Sequence, residues 1–233
     1  MSRIALVDDD RNVLTAVSAT LRDEGFDVDT YISAQVALDA FSKREPDIAV
    51  INVMMPRMGG LEMITKLRQK SQLPVIFLSD KEDVVDEILG LRMGADDYIK
   101  KPFHQRLLAE RIRSLLRRQS IASDDTLPEL EKLIYRGSVT INPNSHSIEV
   151  SGKSAALTRS EYLILVALAN RPGVVFSRSQ LMEILCPDDT YVDERTIDCH
   201  IKRLRLKIRT VDATCKRVQC VRGFGYRFSV DLH

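Results

Sequence analysis

Net charge is the first thing this sequence lacks. Its 233 residues carry 34 Lys and Arg against 33 Asp and Glu, a formal +1 at neutral pH. A sum that small points to no particular partner. Long apolar runs are missing too, and nothing approaches the roughly 20 residues that cross a bilayer. The first residues, MSRIALVDDDRN, meet three acids after four apolar side chains, which is not how a signal peptide reads. Cysteine is scarce. Cys186, Cys199, Cys215 and Cys220 form no Cys-x-x-Cys pair, and no His or second Cys stands at ligand spacing. Free thiols in a reducing, cytoplasmic setting are expected, rather than a disulfide framework or a zinc site.

What is present is ordinary: 44% hydrophobic and 29% charged residues, the balance of a globular chain and not of a disordered or low-complexity one. The length suits two domains of common size. The first half alternates apolar strands with helical patterns. Strands are expected at Ile4–Val7, Val28–Tyr31, Ile48–Ile51, Val75–Leu78 and Tyr98–Ile99. Helices are expected at Val13–Asp23, Ala34–Ser42, Leu61–Lys70, Val84–Met93 and Gln105–Arg117. Five β-α units with nearly continuous apolar strands imply a parallel sheet covered on both faces. Residues 119–131, QSIASDDTLPELE, are polar and aperiodic and form the expected linker between a domain at 1–118 and one at 132–233. The second domain offers three short alternating segments, then a helix opened by the capping box Thr158–Glu161, a short helix near Ser177, a long one over about 194–209, and two strands about the turn in VQCVRGFGYRF.

In a parallel sheet the functional crevice lies at the carboxyl ends of the strands. Asp8, Asp9 and Asp10 follow the first strand, Ser79 ends the fourth, and Lys101-Pro102 follows the fifth. Adjacent carboxylates suit a hard divalent cation, although acids there also serve as helix caps. Together with Met55-Pro56 and Tyr98, these residues resemble the receiver domain of two-component response regulators, a flavodoxin-like five-stranded fold, over residues 1–118. The resemblance implies that Asp8, Asp9 and the backbone carbonyl of Met54 hold Mg²⁺. It implies that Ser79 and Lys101 contact phosphoryl oxygens, and that Tyr98 is the aromatic that turns inward on activation. It also implies a homodimer joined by crossed charge pairs among Asp96, Asp97, Arg111 and Arg118.

One position departs from the pattern. The family's phosphoacceptor is an Asp four residues before the Pro, where this chain has Asn52. A carboxamide is a poor nucleophile and cannot form an acyl phosphate, and it takes one negative charge from the metal cluster. Because Asp8, Asp9 and Lys101 are intact, an engineered Asp→Asn replacement is favoured over a natural pseudo-receiver that works without phosphate.

The charge balance hides a second feature. Between Arg195 and Arg227 stand ten basic residues and two acids, a local excess that points to a polyanion. In RTIDCHIKRLRLKIR, Ile197, Ile201, Leu204 and Ile208 form a buried stripe, and basic residues occupy the other faces. This helix and VRGFGYRF resemble the recognition helix and wing of the winged helix-turn-helix output domain of the OmpR/PhoB family. That likeness makes Arg195, Thr196, His200, Lys202, Arg203 and Arg205 candidate contacts to double-stranded promoter DNA, with Arg222 a wing contact. It makes the loop over 181–190 a contact for RNA polymerase. The runs ALVDDDRNVL, LRQKSQLPVIFLS and MGADDYIKKPFHQRLLAER are most similar to ChvI-type regulators, which implies a membrane histidine kinase as partner. The expected function is transcription control by a DNA-binding response regulator whose receiver dimerisation tunes promoter occupancy, with no catalytic residue of its own. An Mg²⁺-dependent phosphohydrolase is the remote alternative, since Asp8-x-Asp10 lacks the residues that should follow it and leaves the basic end without a role.

Overall fold

The structure is a computed structural model and describes residues 1–80, 90, 93–120, 133–143, 147–185 and 195–229, the side chains of 117–120 and 195 excepted. The chain divides into two compact units, Met1–Arg117 and Arg118–His233.

The first unit is built on five strands, β1 (Arg3–Val7), β2 (Asp27–Tyr31), β3 (Ile48–Asn52), β4 (Val75–Ser79) and β5 (Asp97–Lys100). They pair in parallel in the order β2-β1-β3-β4-β5. Every residue of β3 and β4 is buried, as the unbroken apolar runs require of strands covered on both faces. Helices α1 (Arg11–Asp23), α2 (Ala34–Phe41), α3 (Gly60–Leu67) and α4 (Gln105–Ser120) follow strands β1, β2, β3 and β5. Leu14, Val17 and Leu21 of α1 and Leu108, Ile112 and Leu115 of α4 join Ile4, Leu6, Val50 and Ile76 in one core, the stripe that their helical spacing dictates. The helix α4 continues to Ser120, two residues into the expected linker, since Arg and Gln are good helix formers and nothing in RRQS breaks the turn. The rest of that linker, and nearly all of the expected helix over 84–93, lie outside the described residues.

The second unit opens with an antiparallel sheet of β6 (Ile134–Arg136), β7 (Val139–Asn142), β8 (Ser147–Val150) and β9 (Lys153–Ala155). The last strand was not legible in the sequence, being three residues with two exposed. Three helices follow, α5 (Arg159–Asn170), α6 (Arg178–Leu185) and α7 (Arg195–Val211), and then the hairpin β10 (Val218–Val221) and β11 (Gly225–Phe228). The expected capping-box residues meet at the start of α5, where the Thr158 amide donates to Glu161 Oε2 at 2.8 Å. Gly225 has φ +141°, and a Cβ there would lie 2.0 Å from the carbonyl oxygen of Phe176. Only glycine lets the hairpin close on that segment, where Phe176 and Tyr226 form a bridge.

Candidate functional site

The strand ends of the first unit converge as the topology demands. Asp8, directly after β1, is buried, and Asp9 is exposed. Asp10 turns the other way and caps α1, accepting from the Asn12 amide at 2.8 Å, so one of the three acids has the purely structural role. Lys101 Nζ donates to Asp8 Oδ2 at 2.8 Å, and the Asp10 amide to Asp8 Oδ1 at 3.0 Å. Asn52 ends β3 and is buried at 4% exposure. Its Nδ2 donates to Asp8 Oδ1 at 3.2 Å, Asp9 Oδ1 at 3.1 Å and the Met54 carbonyl at 2.8 Å. Room for this cluster depends on Gly60, where a Cβ would lie 2.6 Å from the Asn52 carbonyl oxygen. Ser79 is fully buried at the end of β4, and its carbonyl accepts from the Lys101 amide at 2.8 Å. Tyr98 is half-buried on β5, in register with Phe77. The geometry thus gathers Asp8, Asp9, Asn52, Met54 and Lys101 into one cluster, to which the end of β4 at Ser79 is tied through its backbone bond to Lys101.

The residues expected to cross a dimer interface have partners within the chain. Arg111 Nη1 donates to Asp97 Oδ2 at 2.8 Å, with both side chains under 9% exposed. Asp96 accepts from Arg68 at 3.2 Å and from the Val75 amide at 3.1 Å. Within one chain, then, Asp97 and Arg111 are buried in an ion pair with each other, and Asp96 is engaged by Arg68. The side chain of Arg118 lies outside the described residues.

In the second unit, α7 contributes Ile197, Ile201, Leu204 and Ile208 to the core. The buried arc is wider than that stripe. His200 is fully buried, Thr196 is 3% exposed and Arg203 is 7% exposed. Arg203 Nε lies 2.9 Å from Glu161 Oε1, and Lys207 Nζ lies 2.8 Å from Glu161 Oε2, which also accepts from the Thr158 amide at 2.8 Å. A fully buried carboxylate needs such compensation. It draws inward two cations that the sequence alone placed on the basic faces. Of the residues expected to meet DNA, Thr196, His200 and Arg203 are therefore buried against the interior of the domain and do not lie on its exposed basic surface. His200 stands three residues after Ile197 and four before Leu204, so helical spacing alone would have put it inside.

The outward stripe of α7 is Asp198, Lys202, Arg205, Leu206 and Arg209, which with Tyr226 line an open groove between the helix and the hairpin. Lys202 and Arg209 are exposed, as is Arg222 at the hairpin tip. Arg205 is half-buried; it donates to the Val218 carbonyl at 2.9 Å and lies over the Tyr226 ring, 5.6 Å from its centroid. A second cluster, not anticipated, fixes this groove. Tyr226 donates its hydroxyl to Asp198 Oδ1 at 2.8 Å, Arg178 Nε donates to the same oxygen at 2.8 Å, and the Arg178 guanidinium lies over the ring from 5.5 Å. Burial and the neighbouring Asp198 push the Tyr226 hydroxyl up to about 12, and the bond to Asp198 raises the pKa of Arg178. The side chain of Arg195 and residues 186–190 of the expected polymerase loop lie outside the described residues.

Comparison with known proteins agrees with both halves. Residues 4–113 match the family model of the response regulator receiver domain, and residues 152–228 match that of the C-terminal domain of transcriptional regulatory proteins. The transcriptional regulatory protein AfsQ1 of Streptomyces coelicolor is 35% identical over 97% of this chain and 98% of its own length. The DNA-binding response regulator MtrA of Mycolicibacterium smegmatis is 36% identical over 97% of this chain and 96% of its own. Among solved structures, a RitR variant superposes with a TM-score of 0.79 at 26% identity over 99% of this chain and 100% of that one. No helix among the described residues is long and apolar enough to cross a membrane.

Proposed function

The chain belongs to the OmpR/PhoB-family response regulators, DNA-binding two-component proteins that control transcription and are not enzymes, and from that premise we propose that it regulates without an aspartyl phosphate at position 52. The observation that carries this reading is Asn52 itself: a buried carboxamide bonded by its nitrogen to Asp8, Asp9 and Met54, with no carboxylate oxygen to accept a phosphoryl group. Receivers of this family typically bind Mg²⁺ through such a cluster; here that binding is weakened, because the site has lost one negative charge. Ser79, Lys101 and Tyr98 remain the residues that would answer a phosphoryl group on an Asn52→Asp variant. The intact Asp8, Asp9 and Lys101 support an Asp-to-Asn replacement at an otherwise complete acceptor site, with a natural pseudo-receiver as the alternative reading.

Promoter DNA is engaged by Lys202, Arg205, Arg209 and Arg222, with Arg195 at the start of the helix. Homodimerisation through the receiver exchanges the internal Asp97–Arg111 pair for crossed pairs between copies, with Arg118 alongside, and raises the effective concentration of the second DNA-binding domain. The domain limits are 1–118 and 132–233, with 119–131 as linker. A membrane histidine kinase, implied by the likeness to ChvI-type regulators, is the upstream partner, RNA polymerase the downstream one, and the cytoplasm the setting.

Binding to duplex DNA, measured across salt concentrations with and without a small-molecule phosphodonor and Mg²⁺, tests this. Some five phosphate contacts per module give a log–log slope of about −4 to −5, unchanged by the donor. The Asn52→Asp variant should gain one phosphoryl group by intact mass and bind more tightly. A phosphorylated Asn52 chain, or a flat salt dependence, would sink the reading.

A further inference from the structure

We propose that Asn52 takes the place of a metal ion: its amide nitrogen holds together the groups that a divalent cation would hold, so the crevice is complete without one. This deepens the reading of Asn52 above and rests on it. The three oxygens expected to ligate Mg²⁺ all accept from one nitrogen, at 3.2, 3.1 and 2.8 Å. Those are N–H···O distances; Mg²⁺ demands oxygens at about 2.1 Å in near-octahedral order. With Nδ2 already bonded to all three oxygens and position 52 adding no charge, the donor set is a poor fit to that hard cation.

The orientation of the amide follows from the same contacts. Asn52 Oδ1 is buried and has no hydrogen-bond partner. An orphaned buried acceptor costs free energy, and it is tolerated here because the reverse orientation is worse: turning the amide would set Oδ1 against two carboxylates and a carbonyl, and leave Nδ2 without an acceptor. The electrostatics agree. Asp8 and Asp9 bring two negative charges and Lys101 one positive charge at 2.8 Å from Asp8 Oδ2. A carboxylate at position 52 would add a third negative charge to a largely buried cluster and require a cation. The carboxamide adds none and supplies two N–H donors, so Lys101 and the exposure of Asp9 to water suffice.

Thermal unfolding of the full chain in EDTA and in millimolar Mg²⁺ tests this, using the parent, Asn52→Ala and Asn52→Asp. The receiver transition of the parent should move by less than about 1 °C on adding Mg²⁺. Both variants should unfold at lower temperature in EDTA and recover by about 5 °C or more with the cation. If Asn52→Ala does not fold without metal, Asn52→Asp carries the comparison. A parent that gains as much from Mg²⁺ as Asn52→Asp, or variants as stable in EDTA as the parent, would overturn the proposal. Calorimetric titration with Mn²⁺ reads the same point directly: the parent should bind at least about tenfold more weakly than Asn52→Asp, and equal affinity would mean that the amide turns its oxygen to the ion. None of these readouts involves DNA, so they stand apart from the salt titration that decides the transcription reading.

Discussion

Asp8 and Glu161 are both buried carboxylates, one in each unit, and both are met by a lysine from a distant part of the chain. Asp8 has Lys101, the Asp10 amide and the neutral Asn52, with Asp9 beside it. Glu161 has Lys207, Arg203 and the Thr158 amide. The first cluster therefore keeps a negative excess and reaches solvent through the exposed Asp9; the second has more positive than negative charge and sits in a core. Burial of a charge does not make a functional site. The sign left over after internal pairing does, together with whether solvent can reach it.

Removing each carboxylate breaks the comparison at its strongest point. Glu161→Ala leaves Arg203 buried without its partner and strips a cap from α5, and loss of one member of a buried pair costs about 3–5 kcal/mol. The unfolding transition of the DNA-binding domain should fall accordingly in a denaturant titration. Asp8→Asn should cost only about 1 kcal/mol, because relief of its repulsion with Asp9 offsets the lost Lys101 pair. Equal losses would mean that the two clusters are alike after all.

The same contrast explains what could be read from the sequence. The five-stranded sheet, the order of its elements and the gathering of Asp8, Asp9, Ser79 and Lys101 at its edge follow from continuous apolar strands and from the rule that places crevices at their carboxyl ends. Position 52 reads as a poor nucleophile from its residue type alone, yet its three bonds to the other would-be ligands are not legible there, since spacing says nothing about which end of an amide points inward. Glu161 was legible as a cap and no more. Its pairing with Arg203 and Lys207 links residues more than 40 positions apart, and that pairing, not helix periodicity, takes Arg203 off the basic face. For His200 the periodicity was available, and the basic composition around it obscured the reading. The Arg178–Asp198–Tyr226 cluster gave no local signal, because its members come from three separate elements.

The outward cations sharpen the comparison at intermediate size. Lys202 and Arg209 are exposed, and among the described residues neither has an ion-pair partner, so replacing both with Ala should leave stability within about 0.5 kcal/mol. The log–log salt slope for duplex DNA should flatten by about 2, one for each lost phosphate contact. Arg203→Ala should do the reverse, lowering the unfolding midpoint while leaving the slope of the folded protein unchanged. A flattened slope for Arg203→Ala would return that residue to the interface.

The smallest effect belongs to Tyr226, whose hydroxyl serves neither charge cluster and instead ties the hairpin to α7 through Asp198. Tyr226→Phe should cost about 1 kcal/mol, the usual net value of one hydrogen bond. Its pH dependence separates that bond from simple packing. Burial first, and then the bond to Asp198 and its charge, raise the hydroxyl to about 12 in the folded chain, above the roughly 10 of an unfolded tyrosine. Folding thus favours the protonated form. The contribution is fully present below pH ~10 and is lost as pH rises from about 10 towards 12. Across that window the parent's DNA-binding domain should lose thermal stability more steeply than the Phe variant, in which nothing at this position titrates. Parallel curves would show that Asp198 is held by Arg178 alone, and that the hairpin is fixed to α7 by the ring and not by its hydroxyl.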